Sequence, residues 1–160
     1  MKKPGRKLRI SMLLLLLCAL MVMPQSTVFA KQQKNGWVKG TYYYKNGKML
    51  KNKWLKSKKY KYYFDKKGKV TKGITVIDGK FYQFDKKGRM DAKKTKKLQA
   101  AAKSQKSFDA LRKLIGKPKK SKYLAGCYGP GKDGVLTYPT YIVYTYKEGK
   151  KELFMGAERR

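Results

Sequence analysis

The side chains of this sequence best suited to binding are aromatic rings interleaved with lysines. The chain contains 2 tryptophans, Trp37 and Trp54, and 13 tyrosines, and the rings between residues 36 and 90 lie among many lysines. An electron-rich ring face attracts a cation by about 0.5–2 kcal/mol per good contact and also stacks on flat ligand surfaces. Lysine ammonium groups bind phosphate through charge-assisted hydrogen bonds. These residue types indicate a binding surface.

Residues that carry catalysis are scarce. The chain has no histidine, which removes the commonest general base and metal ligand. Its 9 acidic residues show no pair that suggests glycoside hydrolysis, and Asp65 and Asp85 fit turns whose backbone they can hydrogen-bond. Cys127 lies in the glycine-rich segment GCYGPGKDG and is interpreted as an incidental thiol or as half of a disulfide between chains. We therefore expect no enzymatic activity, no cofactor and no metal site.

A repeat of about twenty residues positions the rings. Gly47, Gly68 and Gly88 recur at intervals of 21 and 20 residues, and an apolar residue follows each glycine two positions later. Aromatic residues that alternate along short segments and end in turns such as KNGK and DKKGK are typical of β-hairpins. A repeat this short cannot bury a core alone, so residues 36–90 predict three stacked hairpins that form a β-hairpin solenoid.

The first thirty residues have the pattern of an export signal. Residues 1–30 combine the basic segment MKKPGRKLR, an apolar stretch from Ile10 to Met23, and small residues at Val28 and Ala30. The apolar stretch of about 14 residues is shorter than the ~20 that a membrane-spanning helix needs. We therefore favour cleavage after Ala30 over retention as a membrane anchor, and expect the protein to be secreted.

The charge of the mature chain constrains its partners. Cleavage would leave 37 Lys and Arg against 9 Asp and Glu, a net charge of +28. Such a charge repels itself in a compact chain and favours polyanionic partners. Because Cys127 would be the remaining cysteine, the fold must rest on packing rather than on an intramolecular disulfide.

A change in composition at Asp91 marks a second predicted part, residues 91–160, while residues 31–35 are interpreted as a linker. The Lys- and Ala-rich start of this part favours a helix, and apolar residues from Phe108 to Ile115 recur at helical spacing. Three strand patterns follow in the last thirty residues. The expected fold class is therefore a hairpin solenoid followed by a small α+β domain of two helices packed on an antiparallel sheet.

The three copies resemble the cell-wall-binding repeats of the choline-binding and glucan-binding type. The matching positions are Gly36, Trp37, Gly40, Tyr42, Tyr43, Tyr44, Gly47 and Met49 in the first copy, Trp54, Tyr62, Tyr63, Phe64, Gly68 and Val70 in the second, and Ile74, Gly79, Tyr82, Gln83, Phe84, Gly88 and Met90 in the third. This resemblance implies attachment of a secreted protein to the envelope of a Gram-positive cell. Residues 108–155 more weakly resemble a small secreted domain with a β-lactamase-inhibitor-like fold.

The repeat resemblance also implies a ligand site. In choline-binding members the ligand lies between consecutive hairpins, and the equivalent aromatic cage here would comprise Trp37, Tyr42, Trp54 and Tyr62. In the third copy Ile74 replaces the tryptophan, and a glutamine replaces a tyrosine, which argues against a second complete cage. In hairpins this small the same rings also supply the core.

Several ligands fit these features. Choline would meet repulsion in a field of +28, whereas the phosphates of teichoic acid would be attracted, so an anionic wall polymer is favoured. Neutral glucans would stack on the same rings. Nucleic acid would bind through lysines and stacking, but without the arginines that base reading prefers. Residues 91–106 are basic with few large apolar side chains, so they are a poor membrane-inserting helix.

The signal interpretation predicts the N-terminus of the exported protein. We expect the protein recovered from culture medium to begin at Lys31, because Val28 and Ala30 match the positions that a signal peptidase reads. Intact-mass and N-terminal sequencing measure this directly. Recovery of a chain that retains residues 1–30 in the membrane fraction would contradict cleavage.

Overall fold

A computed structural model of the protein describes residues 35–127 and 129–160. The predicted signal, residues 1–30, and residues 31–34 of the predicted linker lie outside the described residues. The described residues belong to one compact unit, Lys34–Arg160.

Twelve strands and two short helices make up the described chain. The strands are β1 (Gly36–Val38), β2 (Tyr42–Lys45), β3 (Lys48–Met49), β4 (Lys53–Ser57), β5 (Tyr60–Phe64), β6 (Gly73–Ile77), β7 (Lys80–Phe84), β8 (Lys106–Ser107), β9 (Lys120–Ala125), β10 (Lys132–Thr137), β11 (Tyr141–Glu148) and β12 (Lys151–Arg159). The helices are α1 (Ala92–Ala101), which follows β7, and α2 (Asp109–Ile115), which follows β8.

Strand pairing is antiparallel and divides the described chain into four sheets. The first hairpin forms a sheet in the order β1-β2-β3, and the next two hairpins form the two-stranded sheets β4-β5 and β6-β7. The remaining strands form one sheet in the order β8-β12-β11-β10-β9. The hairpins therefore pair their strands internally and must be joined to one another by other contacts.

Two equivalent backbone hydrogen bonds join successive hairpins. The amide of Val70 donates to the carbonyl oxygen of Thr41 at 2.8 Å. Twenty residues later, the amide of Met90 donates to the carbonyl oxygen of Lys61 at 2.8 Å. The 20-residue spacing of the sequence thus corresponds to a repeated contact in space.

The aspartates of the DKKG turns act as the sequence predicts. Asp65 Oδ1 accepts hydrogen bonds from the amides of Lys67 and Lys69, both at 2.8 Å. Asp85 Oδ1 accepts hydrogen bonds from the equivalent amides of Lys87 and Arg89, at 2.8 and 2.9 Å. Although slight burial raises the pKa of the Asp85 carboxyl, the hydrogen bonds from Arg89 and Lys87 outweigh it and hold the pKa below its usual value. The predicted turn roles of Asp65 and Asp85 are confirmed.

The prediction of a hairpin solenoid followed by a small α+β domain was wrong. About half of the described residues are in strands, which form several small antiparallel sheets, and this part of the chain has two short helices and no solenoid. In a solenoid each repeat would contact only its neighbours. Here the third hairpin instead contributes Val76 and Phe81, both 0% exposed, to a core that it shares with α1, α2 and the five-stranded sheet.

That core explains why the third copy departs from the pattern of the first two. The other buried members of this core are Leu98, Phe108, Leu111, Leu136, Tyr138, Tyr141, Val143 and Phe154. Ile74, which occupies the position of the tryptophans, packs against this core. An aliphatic side chain suits a site that is covered on its open face by other elements.

A buried carboxylate connects the five-stranded sheet to α2. Glu152 is 6% exposed and accepts hydrogen bonds from the Arg112 guanidinium, from the Tyr123 hydroxyl at 3.1 Å and from the Thr145 hydroxyl at 2.7 Å. A buried charge satisfied in this way fixes the helix against the strand, and removal of a partner would leave the carboxylate uncompensated. Burial also raises the pKa of the nearby Tyr138 hydroxyl to about 12.

The ends of the helices follow from local chemistry. Asp91 caps α1, because its side chain accepts from the amide of Lys94 at 2.9 Å. Gly116 ends α2 at a φ of 75°, a backbone conformation that favours glycine. At the other end, Phe108 occupies the N-cap position, and the hydroxyl of Ser107 accepts from the amide of Asp109 at 3.2 Å. Neither helix of the described chain is long and apolar enough to cross a membrane.

The glycines of the hairpin turns give a matched stability test. A Cβ at Gly88 would clash with the Val70 side chain and lie 3.2 Å from the carbonyl oxygen of Thr71, at a φ of +79°. A Cβ at Gly79 would meet no atom within 4 Å, at a φ of +72°. We expect Gly88→Ala to cost about 2–4 kcal/mol, and Gly79→Ala about 1–2 kcal/mol from the backbone alone. Urea unfolding measures both, and equal losses would contradict the close packing of Gly88 on the preceding turn.

Candidate functional site

Two ring clusters of the same design lie where successive hairpins meet. In the first ring cluster the centroid of Trp37 lies 5.6 Å from that of Tyr43, 4.9 Å from that of Tyr62 and 5.5 Å from that of Phe64. In the second ring cluster the centroid of Trp54 lies 5.2 Å from that of Tyr63, 4.9 Å from that of Tyr82 and 5.9 Å from that of Phe84. Each tryptophan therefore contacts one tyrosine of its own hairpin and one of the next.

The register of the strands determines which tyrosine contacts the tryptophan of its own hairpin and which contacts that of the preceding hairpin. Trp37 pairs with Tyr43, and Trp54 pairs with Tyr63, so these tyrosines share a face with their own tryptophan. Because side chains alternate along a strand, the preceding residue points to the opposite face. There Tyr62 contacts the tryptophan of the preceding hairpin.

Three of the four predicted cage residues are divided between the two clusters, and the fourth, Tyr42, belongs to neither. The structure brings Trp37 and Tyr62 together, whereas Trp54 contacts Tyr82 of the following hairpin. Tyr42 is half-buried opposite Val38 and forms no ring pair within the part of the chain that the structure describes. Each seam between hairpins thus has its own set of rings.

Each cluster has a buried base and an exposed rim. Phe64 is 0% exposed and Phe84 is 1% exposed, so these rings act as core. Trp37 and Trp54 are 37% and 39% exposed, so they offer part of their ring surface to solvent. Burial of the phenylalanines stabilises the hairpin contact, while the tryptophans retain a face for a ligand.

A groove of about 440 Å³ lies beside the second ring cluster, and we call it the ring groove. Its lining includes Trp54, Lys56, Lys61, Tyr82, Thr95 and Gln99. The last two come from α1, which is fixed to β7 by two hydrogen bonds. The Gln83 amide donates to Thr95 Oγ1 at 3.1 Å, and Gln99 Nε2 donates to the carbonyl oxygen of Phe81 at 3.0 Å.

The electrostatics of the ring groove favour an anion. Lys56 and Lys61 are directly opposite each other on β4 and β5, where like charges destabilise a sheet. The ion pairs of residues 35–127 and 129–160 join Arg89 to Asp85, Lys94 to Asp91 and Arg112 to Glu152. No carboxylate of the described chain therefore forms an ion pair with either lysine of the groove, so an anionic ligand would relieve their repulsion.

Sequence reasoning missed several residues of the groove. Tyr82 could have been found from the repeat, because it lies 20 residues after Tyr62. Lys56 shares a strand face with Trp54 at a spacing of two residues, which is also visible in the sequence. The contribution of Thr95 and Gln99 depends on how α1 packs, and no local pattern shows that.

Gln83, which replaces a tyrosine in the third copy, has a structural role. Its amide donates to Thr95 Oγ1, and its side-chain Nε2 donates to the carbonyl oxygen of Phe84 at 2.8 Å. The first bond uses the backbone and is open to any residue at this position, whereas the second depends on the glutamine side chain.

The carboxylates and the thiol of Cys127 are the other side chains of the described residues that could ligate a metal or react. There, no three Cys, Asp or Glu side chains are grouped so that they could hold a metal ion. The thiol of Cys127 is exposed, and its backbone amide donates to Asp133 Oδ2 at 3.1 Å.

No protein-family model matches this chain, and no curated protein matches it closely enough to suggest a relationship. Function is therefore inferred from the residues themselves.

Quenching of tryptophan fluorescence tests the charge of the ring groove. In a Trp37→Phe variant, Trp54 is the single remaining tryptophan, and we expect iodide to quench it several-fold more strongly than caesium, because Lys56 and Lys61 concentrate anions beside it. Adding Lys56→Gln and Lys61→Gln should reduce the iodide preference markedly.

The matched control for this measurement is Lys120→Gln with Lys122→Gln on the exposed strand β9. It removes the same charge elsewhere and should leave most of the preference intact. Equal quenching by both ions, or an equal effect of both lysine pairs, would contradict a locally anion-attracting groove.

Proposed function

We propose that this is an exported, non-enzymatic protein that attaches to an anionic polymer of the Gram-positive cell wall, teichoic acid, through the ring groove. The observation that carries the proposal is the combination in one groove of an exposed Trp54 ring with the opposed lysines Lys56 and Lys61. A polymer that alternates phosphate with an apolar or sugar face would satisfy both kinds of group.

Charge decides between the wall ligands. A free quaternary ammonium in the groove would lie beside two lysine ammonium groups in a chain that would carry +28 after cleavage, and their repulsion opposes the attraction of the rings. A phosphate in the same place gains charge-assisted hydrogen bonds. A choline-bearing polymer remains compatible if its phosphate contacts the lysines and its choline the rings.

The repeats support the cellular location. Their resemblance to cell-wall-binding repeats and the export pattern of residues 1–30 both point to a secreted, wall-associated protein. Both are features of the sequence, independent of the groove.

A neutral glucan is the second candidate, and one observation favours it. Gln99 lines the groove, and although its Nε2 donates to the carbonyl oxygen of Phe81, its side-chain oxygen can still accept a hydrogen bond from a sugar hydroxyl. Such binding would depend on Trp54 and Tyr82 but little on the lysines.

Binding to purified walls tests the proposal. We expect the purified protein to sediment with walls, to lose about tenfold in affinity when teichoic acid is removed, and to release as salt rises, because the attraction is electrostatic. Lys56→Gln with Lys61→Gln should weaken retention about tenfold.

Another pair of opposed lysines supplies the control. Lys45 and Lys48 also face each other across a strand pair, so Lys45→Gln with Lys48→Gln removes the same charge and relieves the same kind of repulsion. It should weaken retention about twofold or less. Equal losses from both pairs, or equal affinity for DNA and for walls, would contradict recognition by the groove. Retention on glucan that is insensitive to salt would favour the second candidate.

A further inference from the structure

A second cleft, of about 450 Å³, lies between the turn that ends β5 and the C-terminal end of β12, and we call it the basic cleft. Six cationic side chains line it: Lys66, Lys67, Lys69, Lys72, Arg159 and Arg160. They come from two segments that are far apart in the sequence, so the cleft is formed by the fold rather than by one run of lysines.

The carboxylate in the lining of the basic cleft is already engaged. Asp65 accepts the amides of Lys67 and Lys69 within its own turn, and these bonds fix the turn that carries the lysines. Its one charge is small beside six positive charges, so the cleft retains a strong attraction for anions.

The arginine side of the basic cleft is held in place by backbone and ring contacts. The Arg160 amide donates to the carbonyl oxygen of Thr140 at 3.1 Å, and the Thr140 hydroxyl donates to the carbonyl oxygen of Ile74 at 3.0 Å. The Arg159 guanidinium lies 5.3 Å from the centroid of the Tyr63 ring. A guanidinium oriented in this way loses less conformational freedom when it binds an oxyanion.

One polar group in the cleft wall has no partner. Thr71 lines the basic cleft, and its hydroxyl oxygen is buried without a hydrogen-bond partner among the described residues. A buried hydroxyl that is left unsatisfied is unfavourable, and such groups are rare in native structures. Rotation of the Thr71 side chain about χ1 would turn this hydroxyl toward the cleft, where an oxyanion would supply the acceptor that it lacks.

We propose that the basic cleft binds the phosphate group of the wall polymer, as a second contact distinct from the ring groove. The lysines and arginines on its two sides supply charge-assisted hydrogen bonds, and the Thr71 hydroxyl donates one more. This inference rests on the proposed function only for the source of the phosphate. Binding of phosphate to the cleft stands on the residues above.

Titration with inorganic phosphate and with a glycerol-phosphate oligomer tests the site. Binding to the purified protein is followed by NMR shifts of backbone amides at constant ionic strength in chloride. We expect saturable shifts at Thr71, Lys72 and Arg159 with both probes, and a thermal midpoint that rises with phosphate concentration. Shifts that chloride reproduces at equal ionic strength would overturn the proposal, because they would reflect screening alone.

Two variants separate the site from general charge. Arg159→Gln with Lys72→Gln should weaken phosphate binding about tenfold or more. The matched pair Lys120→Gln and Lys122→Gln, which removes the same charge from β9, should weaken it about twofold or less. Equal losses from the two pairs would overturn the proposal.

Thr71→Val gives a readout that a structural role would not produce. It removes the unpartnered hydroxyl at nearly constant shape, so we expect unchanged or higher stability without phosphate but a several-fold weaker phosphate affinity. Loss of stability with unchanged affinity would show that the hydroxyl serves the fold and would contradict its role in binding.

The outcomes distinguish this inference from the proposed function. Saturable phosphate binding with no retention on walls would preserve the cleft and reject wall attachment. Retention on walls with no phosphate binding would support wall attachment and reject the cleft as a phosphate site. Tighter binding of single-stranded DNA than of a glycerol-phosphate oligomer of equal charge would overturn the wall polymer as the source of the phosphate.

Discussion

The hairpins of this protein depend on rings that they share. A two-stranded hairpin is marginal in water, and none of these hairpins extends its sheet into the next. Trp37 and Trp54 each bridge two hairpins, and the buried rings of Phe64 and Phe84 form the base of each junction. The part of each tryptophan that stays exposed follows from its position at the rim. Packing and the proposed ligand binding thus depend on the same side chains.

Charge is the second constraint, and it destabilises the fold that the shared rings stabilise. The mature chain would carry +28, and the ion pairs of residues 35–127 and 129–160 engage only three of its basic side chains. Unpaired lysines on a small fold repel one another and reduce stability. Two places concentrate this repulsion in a concave surface: the ring groove with Lys56 and Lys61, and the basic cleft. A polyanion that occupies both would stabilise the folded state as well as hold the protein at the wall.

Local features were predictable from the sequence, and long-range packing was not. The DKKG turns, with Asp65 and Asp85 bonded to the backbone, follow from residue types at fixed spacing. The solenoid did not form because the third hairpin packs on α1 and the five-stranded sheet, and Ile74 alone gave only a weak sign of that. The same packing brings Gln99 to the ring groove, and the return of the C-terminus brings Arg159 to the basic cleft. Contacts between residues this far apart produce no periodic pattern in the sequence from which they could be predicted.

The shared rings are tested most directly by a double-mutant cycle on Trp54 and Tyr82, with Trp54→Leu, Tyr82→Leu and the double variant compared in urea unfolding. The two rings lie 4.9 Å apart in an edge-to-face arrangement, and a pair of this kind contributes about 0.5–1.5 kcal/mol beyond the area it buries. We predict a coupling energy in that range. If the proposed function holds, soluble teichoic acid should stabilise the unsubstituted chain and should no longer stabilise the double variant. A coupling energy of zero, with stabilisation by teichoic acid unchanged, would contradict the view that one set of rings joins the hairpins and forms the binding surface.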